Sequence, residues 1–188
     1  MSTQLTAGFT DPARDGARAF RQVLDAMAHP GRIATLDGLQ APAPASPAAA
    51  AILLTLVDST TPLYLAGAHD CAGLRDWVGF HTGAPLVGPS EATFALGTWD
   101  ALGPLSAYAQ GNAEYPDRSA TLIVELDDLR TGGAILTGPG IETEAQLSLP
   151  DLPALTANAA RFPLGLDFLF TCGHRLAALP RSTRLRAC

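Results

Sequence analysis

The chain has 188 residues, a length that one hydrophobic core can organise, with 47% apolar residues, 16% charged residues and a net charge of −6 at pH 7. An acidic balance with no run of like charges excludes the electrostatic footprint of a nucleic-acid binder. Every cationic side chain apart from histidine is an arginine, so neither a phosphate-loop lysine nor the internal aldimine of a pyridoxal phosphate enzyme can be made.

The charged fraction lies below the ~25% usual for soluble domains. The surplus of neutral surface fits contact with other subunits, and it fits equally a codon bias toward Ala, Gly, Pro and Arg. Cys71, Cys172 and Cys188 form no Cys-x-x-Cys pair and no even-numbered framework, as expected in a reducing compartment. The amino-terminal stretch lacks the basic start and apolar core of a signal peptide, and the longest apolar run, residues 48–57, is too short to span a bilayer. The expected location is the cytoplasm, and the expected organisation is one domain over residues 1–188.

Asp11-Pro12 reads as an N-cap followed by proline in the first helical position, and Pro30-Gly31 stops that helix after His29. Its apolar stripe, Ala17, Phe20, Leu24 and Met27, is spaced to lie on one face and to dock on a sheet. A short strand follows over residues 32–36, then a proline-rich loop over 37–45. Ser46-Pro47 repeats the cap-plus-proline start, and the helix to Val57 is apolar nearly all round, as one buried on several sides should be.

After a turn at residues 58–62 comes a strand over 63–66, then a third helix, capped by Asp70, with Leu74, Trp77 and Val78 directed to the core. It ends near Phe80-His81-Thr82. Residues 85–88 and 92–96 read as strands. From 98 to 119 the pattern breaks into turn signals, Gly103-Pro104, Gly111-Asn112 and Tyr115-Pro116, of the kind found in binding loops. Residues 120–126 and 165–172 are nearly continuous β-formers, the pattern of central strands covered on both faces. Between them, 134–137 is strand-like and 152–161 can form a helix. Gly173-His174 fits a type II′ turn into an antiparallel strand over 175–179. The expected fold is therefore α/β, a mixed sheet layered with helices.

Candidate chemistry is sparse. Gly138-Pro139-Gly140 follows a strand but has no third glycine and no following helix, so it reads as a turn. His29, His69, His81 and His174 share no ligand spacing, and no metal is expected. His81 lies between a helix and a strand, and is either a functional histidine or one that interacts with the helix dipole. Cys172 with His174 or His81 and Asp167 or Asp58 supplies the residue types of a thiol nucleophile and its base. The alternative is a buried inert thiol and a carboxylate paired for structure.

Seven segments, in this order, carry a resemblance. They are Phe20-Arg21-x-x-Leu24-x-Ala26-Met27-x-x-Pro30-Gly31, Leu53-Leu54-Thr55-Leu56-x-Asp58-x-x-Thr61-Pro62 and Phe80-His81-Thr82-x-Ala84-Pro85. Ala120-Thr121-Leu122-Ile123, Leu136-Thr137-Gly138-x-Gly140-Ile141 and Phe162-Pro163-Leu164-Gly165-x-Asp167 follow. The last is Thr171-Cys172-Gly173-x-Arg175-Leu176-x-Ala178-Leu179-Pro180-Arg181. Together they resemble the PhnH family, the H subunit of the bacterial carbon–phosphorus lyase system, over nearly the whole chain. The stretch around 98–119 is shorter and richer in Ala and Gly than the family pattern.

The resemblance implies a fold similar to the large domain of pyridoxal-phosphate-dependent transferases without the cofactor. It implies a homodimer in isolation and a place in a core complex with the G, I and J subunits, with L joining transiently. It also implies a part, with G, I and L, in replacing the adenine of ATP by an alkylphosphonate. Cleavage of the carbon–phosphorus bond would fall to the iron–sulfur J subunit; this chain has no comparable cysteine cluster. Arg21, Asp58, His81, Thr82, Asp167 and Arg181 are the candidate functional or interface residues. A second hypothesis is a free-standing enzyme or small-ligand binder with a cleft near His81, in which Arg21, Arg175 and Arg181 clamp phosphonate or triphosphate oxygens.

Overall fold

The computed structural model describes residues 8–36, 39–40 and 42–188. Helix α1 spans Pro12–Ala28, and its N-cap Asp11 accepts a hydrogen bond from the Arg14 amide. Strand β1 is the two residues Ala34–Thr35, and α2 spans Pro47–Leu56, capped by the Ser46 hydroxyl on the Ala49 amide. Strand β2 (Leu63–Leu65) leads through a single 3-10 turn at Gly67–His69 into α3 (Ala72–His81). Strand β3 (Phe94–Thr98) runs directly into a one-turn helix α4 (Trp99–Leu102), and β4 spans Thr121–Glu125. Strands β5 (Ala134–Thr137) and β6 (Ala145–Leu147), helix α5 (Leu152–Ala159) and strands β7 (Asp167–Cys172), β8 (Arg175–Leu179) and β9 (Arg184–Ala187) complete the order.

The main sheet has the order β1-β8-β7-β4-β3-β2. Strands β2, β3, β4 and β7 are parallel, while β8 and β1 are antiparallel to their neighbours. Gly173, at φ +59° with no positive φ at His174, makes the expected tight turn between β7 and β8. A second, antiparallel sheet has the order β6-β5-β9. The α/β class and the mixed sheet expected from the sequence are both present.

Alternation along the strands divides two cores. On one face Leu96, Ile123, Leu169 and Leu176 pack with Val23, Ile52, Leu53, Leu74 and Trp77 of the three long helices. On the other, Leu122, Val124, Phe168 and Phe170 pack with Leu136, Leu147 and Leu155. Helix α2 has no solvent face over Ala48–Leu53, as its continuous apolar sequence demands.

Three expectations are corrected. Helix α1 buries Ala19, Val23 and Ala26; of the expected stripe Met27 packs, partly buried, on that core, while Ala17 is exposed and Phe20 is 50% and Leu24 57% exposed. Small residues let α1 lie close to α2 and β8, and Phe20 and Leu24 are turned away. Residues 85–88 form no strand but a single parallel bridge, Leu63 to Leu86, since Pro85 and Pro89 remove the donors a longer ladder needs. Asp70 does not cap α3: the N-cap position falls on Cys71, and Asp70 binds the Arg75 guanidinium, with Oδ2 2.9 Å from one terminal nitrogen.

Gly140, at φ +80°, passes so close to α1 that a Cβ there would lie 1.9 Å from the Ala28 carbonyl oxygen. The turn at 138–140 is thus a contact between backbones, which is why glycine occupies it. Gly140→Ala is expected to cost about 2 kcal/mol or more, read as a lower midpoint in urea at unchanged m-value. A midpoint within error of the parent would refute the contact.

Candidate functional site

Parallel strands joined by helices sort their loops. Connections leaving a strand gather at its carboxyl end, where ligands of open α/β sheets bind, and connections returning from a helix gather at the amino end. Most of the residues selected from sequence lie at the amino end.

Asp58 sits in the turn before β2, where its Oδ1 accepts from the Thr60 amide and from the Thr60 and Thr61 hydroxyls, each at 2.8 Å. Those hydrogen bonds, the Thr60 hydroxyl foremost, hold its carboxyl below the ordinary aspartate range. Thr82 closes α3, its hydroxyl donating to the Val78 carbonyl and accepting from the Ala84 amide. His81 packs its ring against Trp77 and Phe80, centroids 4.9 Å away in both cases.

Asp167 begins β7 and is paired with Arg181: Oδ1 accepts from the Arg181 amide at 2.8 Å, and both oxygens accept from the guanidinium, which also donates to the Pro116 carbonyl at 2.6 Å. Both side chains are about 15% exposed. The register Leu63–Phe94–Thr121–Asp167 sets this pair three strand spacings, about 14 Å, from the start of β2. The amino edge therefore carries two separate structural clusters. Arg21 is apart from both, exposed on α1 with no ion pair among the described residues.

The thiol arrangement is not assembled. Cys172 ends β7 and donates to the Asp127 carbonyl at 3.4 Å, whereas Asp167 begins the same strand. Arg175 donates to the Leu129 carbonyl at 2.5 Å at the carboxyl edge, so Arg175, Arg181 and Arg21 point to three regions and do not form a clamp. Among the described residues no group of three or more His, Cys, Asp and Glu could hold a metal ion.

The carboxyl edge holds the polar cluster that the sequence reading missed. His69 follows β2 and is 3% exposed, and neither ring nitrogen makes a hydrogen bond. Its Nε2 lies 4.0 Å from Oε1 of Glu125, the last residue of β4. That Oε1 accepts from the Ser46 amide at 2.6 Å, and Oε2 from the Thr171 hydroxyl at 2.9 Å. One carboxylate thus ties the N-cap residue of α2 to the ends of β4 and β7, beside the turn after β2. The gap of 4.0 Å exceeds a hydrogen bond. The signal available from sequence was topological: His69 and Glu125 directly follow or end parallel strands.

Burial pushes the His69 pKa below the ordinary histidine value of 6.5, and Glu125 partly opposes the shift. As pH falls through 6.5, the unfolded chain takes up this proton before the native one does. The contribution of His69 is therefore complete above pH about 6.5 and declines below it, by up to about 1.4 kcal/mol per pH unit, until the native pKa is passed. His69→Leu is expected to flatten ΔG against pH in that window, as measured by urea unfolding at closely spaced pH values; an unchanged slope would assign the titration to another group. Asp167→Ala is expected to destabilise by about 3–5 kcal/mol, and the apolar pair Asp167→Leu with Arg181→Met to recover much of that loss.

Two comparisons bear on what the site serves. The chain is 38% identical over 193 residues to the alpha-D-ribose 1-methylphosphonate 5-triphosphate synthase subunit PhnH of Rhizobium meliloti (strain 1021), covering 97% of this chain and 96% of the relative. It is 32% identical over 179 residues to the putative C-P lyase subunit protein HtxG of Stutzerimonas stutzeri, covering 89% and 84%. The model of the family described as bacterial phosphonate metabolism protein (PhnH) matches residues 7–186. With the family model matched over nearly the whole chain and a relative 38% identical along it, the chain belongs to the PhnH family.

Proposed function

We propose that the chain is a subunit of the carbon–phosphorus lyase system. In it the chain supports transfer of the ribose triphosphate moiety of ATP to an alkylphosphonate, with release of adenine. The observation that carries this reading is the near end-to-end match to a relative named as a subunit of the corresponding synthase. The chemistry is in keeping with a supporting role. Apart from the exposed Arg21, the sequence-selected side chains are engaged in turns, helix ends, ring contacts and a partly buried ion pair, and the one orphaned imidazole among the described residues is enclosed. In this reading the chain acts as one α/β domain in the cytoplasm, pairs with itself when alone and assembles with the G, I and J subunits, with L joining transiently. In the same reading the fold is a relative of the large domain of pyridoxal-phosphate-dependent transferases that has lost the cofactor, a loss in keeping with the lack of lysine, which removes the internal aldimine.

A strain deleted for the gene is expected not to grow on methylphosphonate as sole phosphorus source, and to grow when the gene is restored. The purified chain alone is expected to release no adenine from ATP and methylphosphonate. Growth of the deletion strain at the parental rate contradicts the role, and adenine release by the chain alone contradicts its dependence on partners.

A further inference from the structure

Helix α1 carries two apolar faces, and the fold uses one. With Ala19, Val23 and Ala26 buried, the helical period sets Ala13, Ala17, Phe20 and Leu24 along a second, outward line roughly 120° round the helix. All four are exposed, Phe20 by 50% and Leu24 by 57%. Two large apolar side chains left half in water on one helix line form a face that signals a contact. Beside the line, on one flank only, run Arg14, Arg18 and Arg21. Arg18 lies 3.6 Å from Asp15 and is itself largely exposed; the guanidinium groups of Arg14 and Arg21 meet no carboxylate among the described residues. On a chain of net charge −6, this local row of three arginines, with only Arg18 in an ion pair among the described residues, selects what covers the stripe.

We infer that the outward face of α1 is a docking surface for another polypeptide of the assembly, one that presents an apolar ridge flanked by aspartate or glutamate. The inference rests on the subunit reading above. Charge disfavours a second copy of this chain as the occupant. A two-fold axis that pairs α1 antiparallel with its copy returns both arginine rows to the same side of the interface. There the row would find Asp25, which already holds His29 at 3.1 Å and Arg32 at 2.9 Å. A parallel pairing sets the row against Gly16 and Met27, which carry no charge. An acidic partner instead offers the planar carboxylates that guanidinium groups bind in pairs.

The test uses the full chain, expressed in cells growing on methylphosphonate, with a photo-crosslinking p-benzoylphenylalanine at Ala17. Mass spectrometry of the irradiated complex should place the adduct on a different polypeptide, in an apolar stretch flanked by Asp or Glu. An adduct on a second copy, on residues 1–7 of the same chain or on a surface without acidic flanks, or no adduct at all, overturns the proposal. In parallel, F20D/L24D should reduce recovery of that polypeptide with the chain by about tenfold or more, with the melting temperature unchanged because both residues are exposed. R14E/R21E should do the same, while undiminished recovery with either variant counts against the surface. If the wild-type gene fails to restore growth on methylphosphonate, the functional reading fails; if it restores growth and these variants bind as before, the docking surface alone fails.

Discussion

Four parallel strands in register, with Leu63 beside Phe94, Phe94 beside Thr121 and Thr121 beside Asp167, oblige every connection between them to cross a face of the sheet. That obligation covers both faces, makes β4 and β7 apolar on both sides and divides the loops between two edges. Helix α2, apolar all round, is tolerated because α1, α3 and the sheet enclose it. Much of the polar organisation follows: side chains at either edge brace the ends of elements, by helix caps and turn locks at the amino edge and by the Glu125 bracket at the carboxyl edge.

The α/β class and the central strands were legible from the sequence because continuous β-formers at 121–125 and 167–172 have few alternatives in a chain of this size. Cap-plus-proline starts placed α1 and α2 correctly, since that signal is local. The docking face of α1 was read only in part, since Met27 packs on the core while Phe20 and Leu24 do not. Hydrophobicity ranks Phe20 and Leu24 above Ala19 and Ala26, yet close packing favours the smaller side chains, so size outweighed hydropathy. The same tension separates Asp70, which matches an N-cap by type, from its real partner Arg75.

The site was legible only in part. Asp167 and Arg181 lie 14 positions apart, and their pairing depends on the hairpin that folds β8 back along β7. His81 attracted attention as a residue between helix and strand, but a connection of that sense reaches the amino edge. His69 follows a strand of three residues, too short to announce a parallel ladder, and its neighbour Glu125 lies on a strand formed 56 positions later. No local pattern joins such residues; the sheet order does.

The bond from Glu125 to the Ser46 amide spans 79 positions. Ser46 itself caps α2 locally, so the helix can begin on its own signal, but its entry point is pinned only once β4 has joined the sheet. The α2 entry and the β4 terminus are therefore coupled across the sheet, so that loosening the end of β4 frees the start of a helix distant from it in the chain.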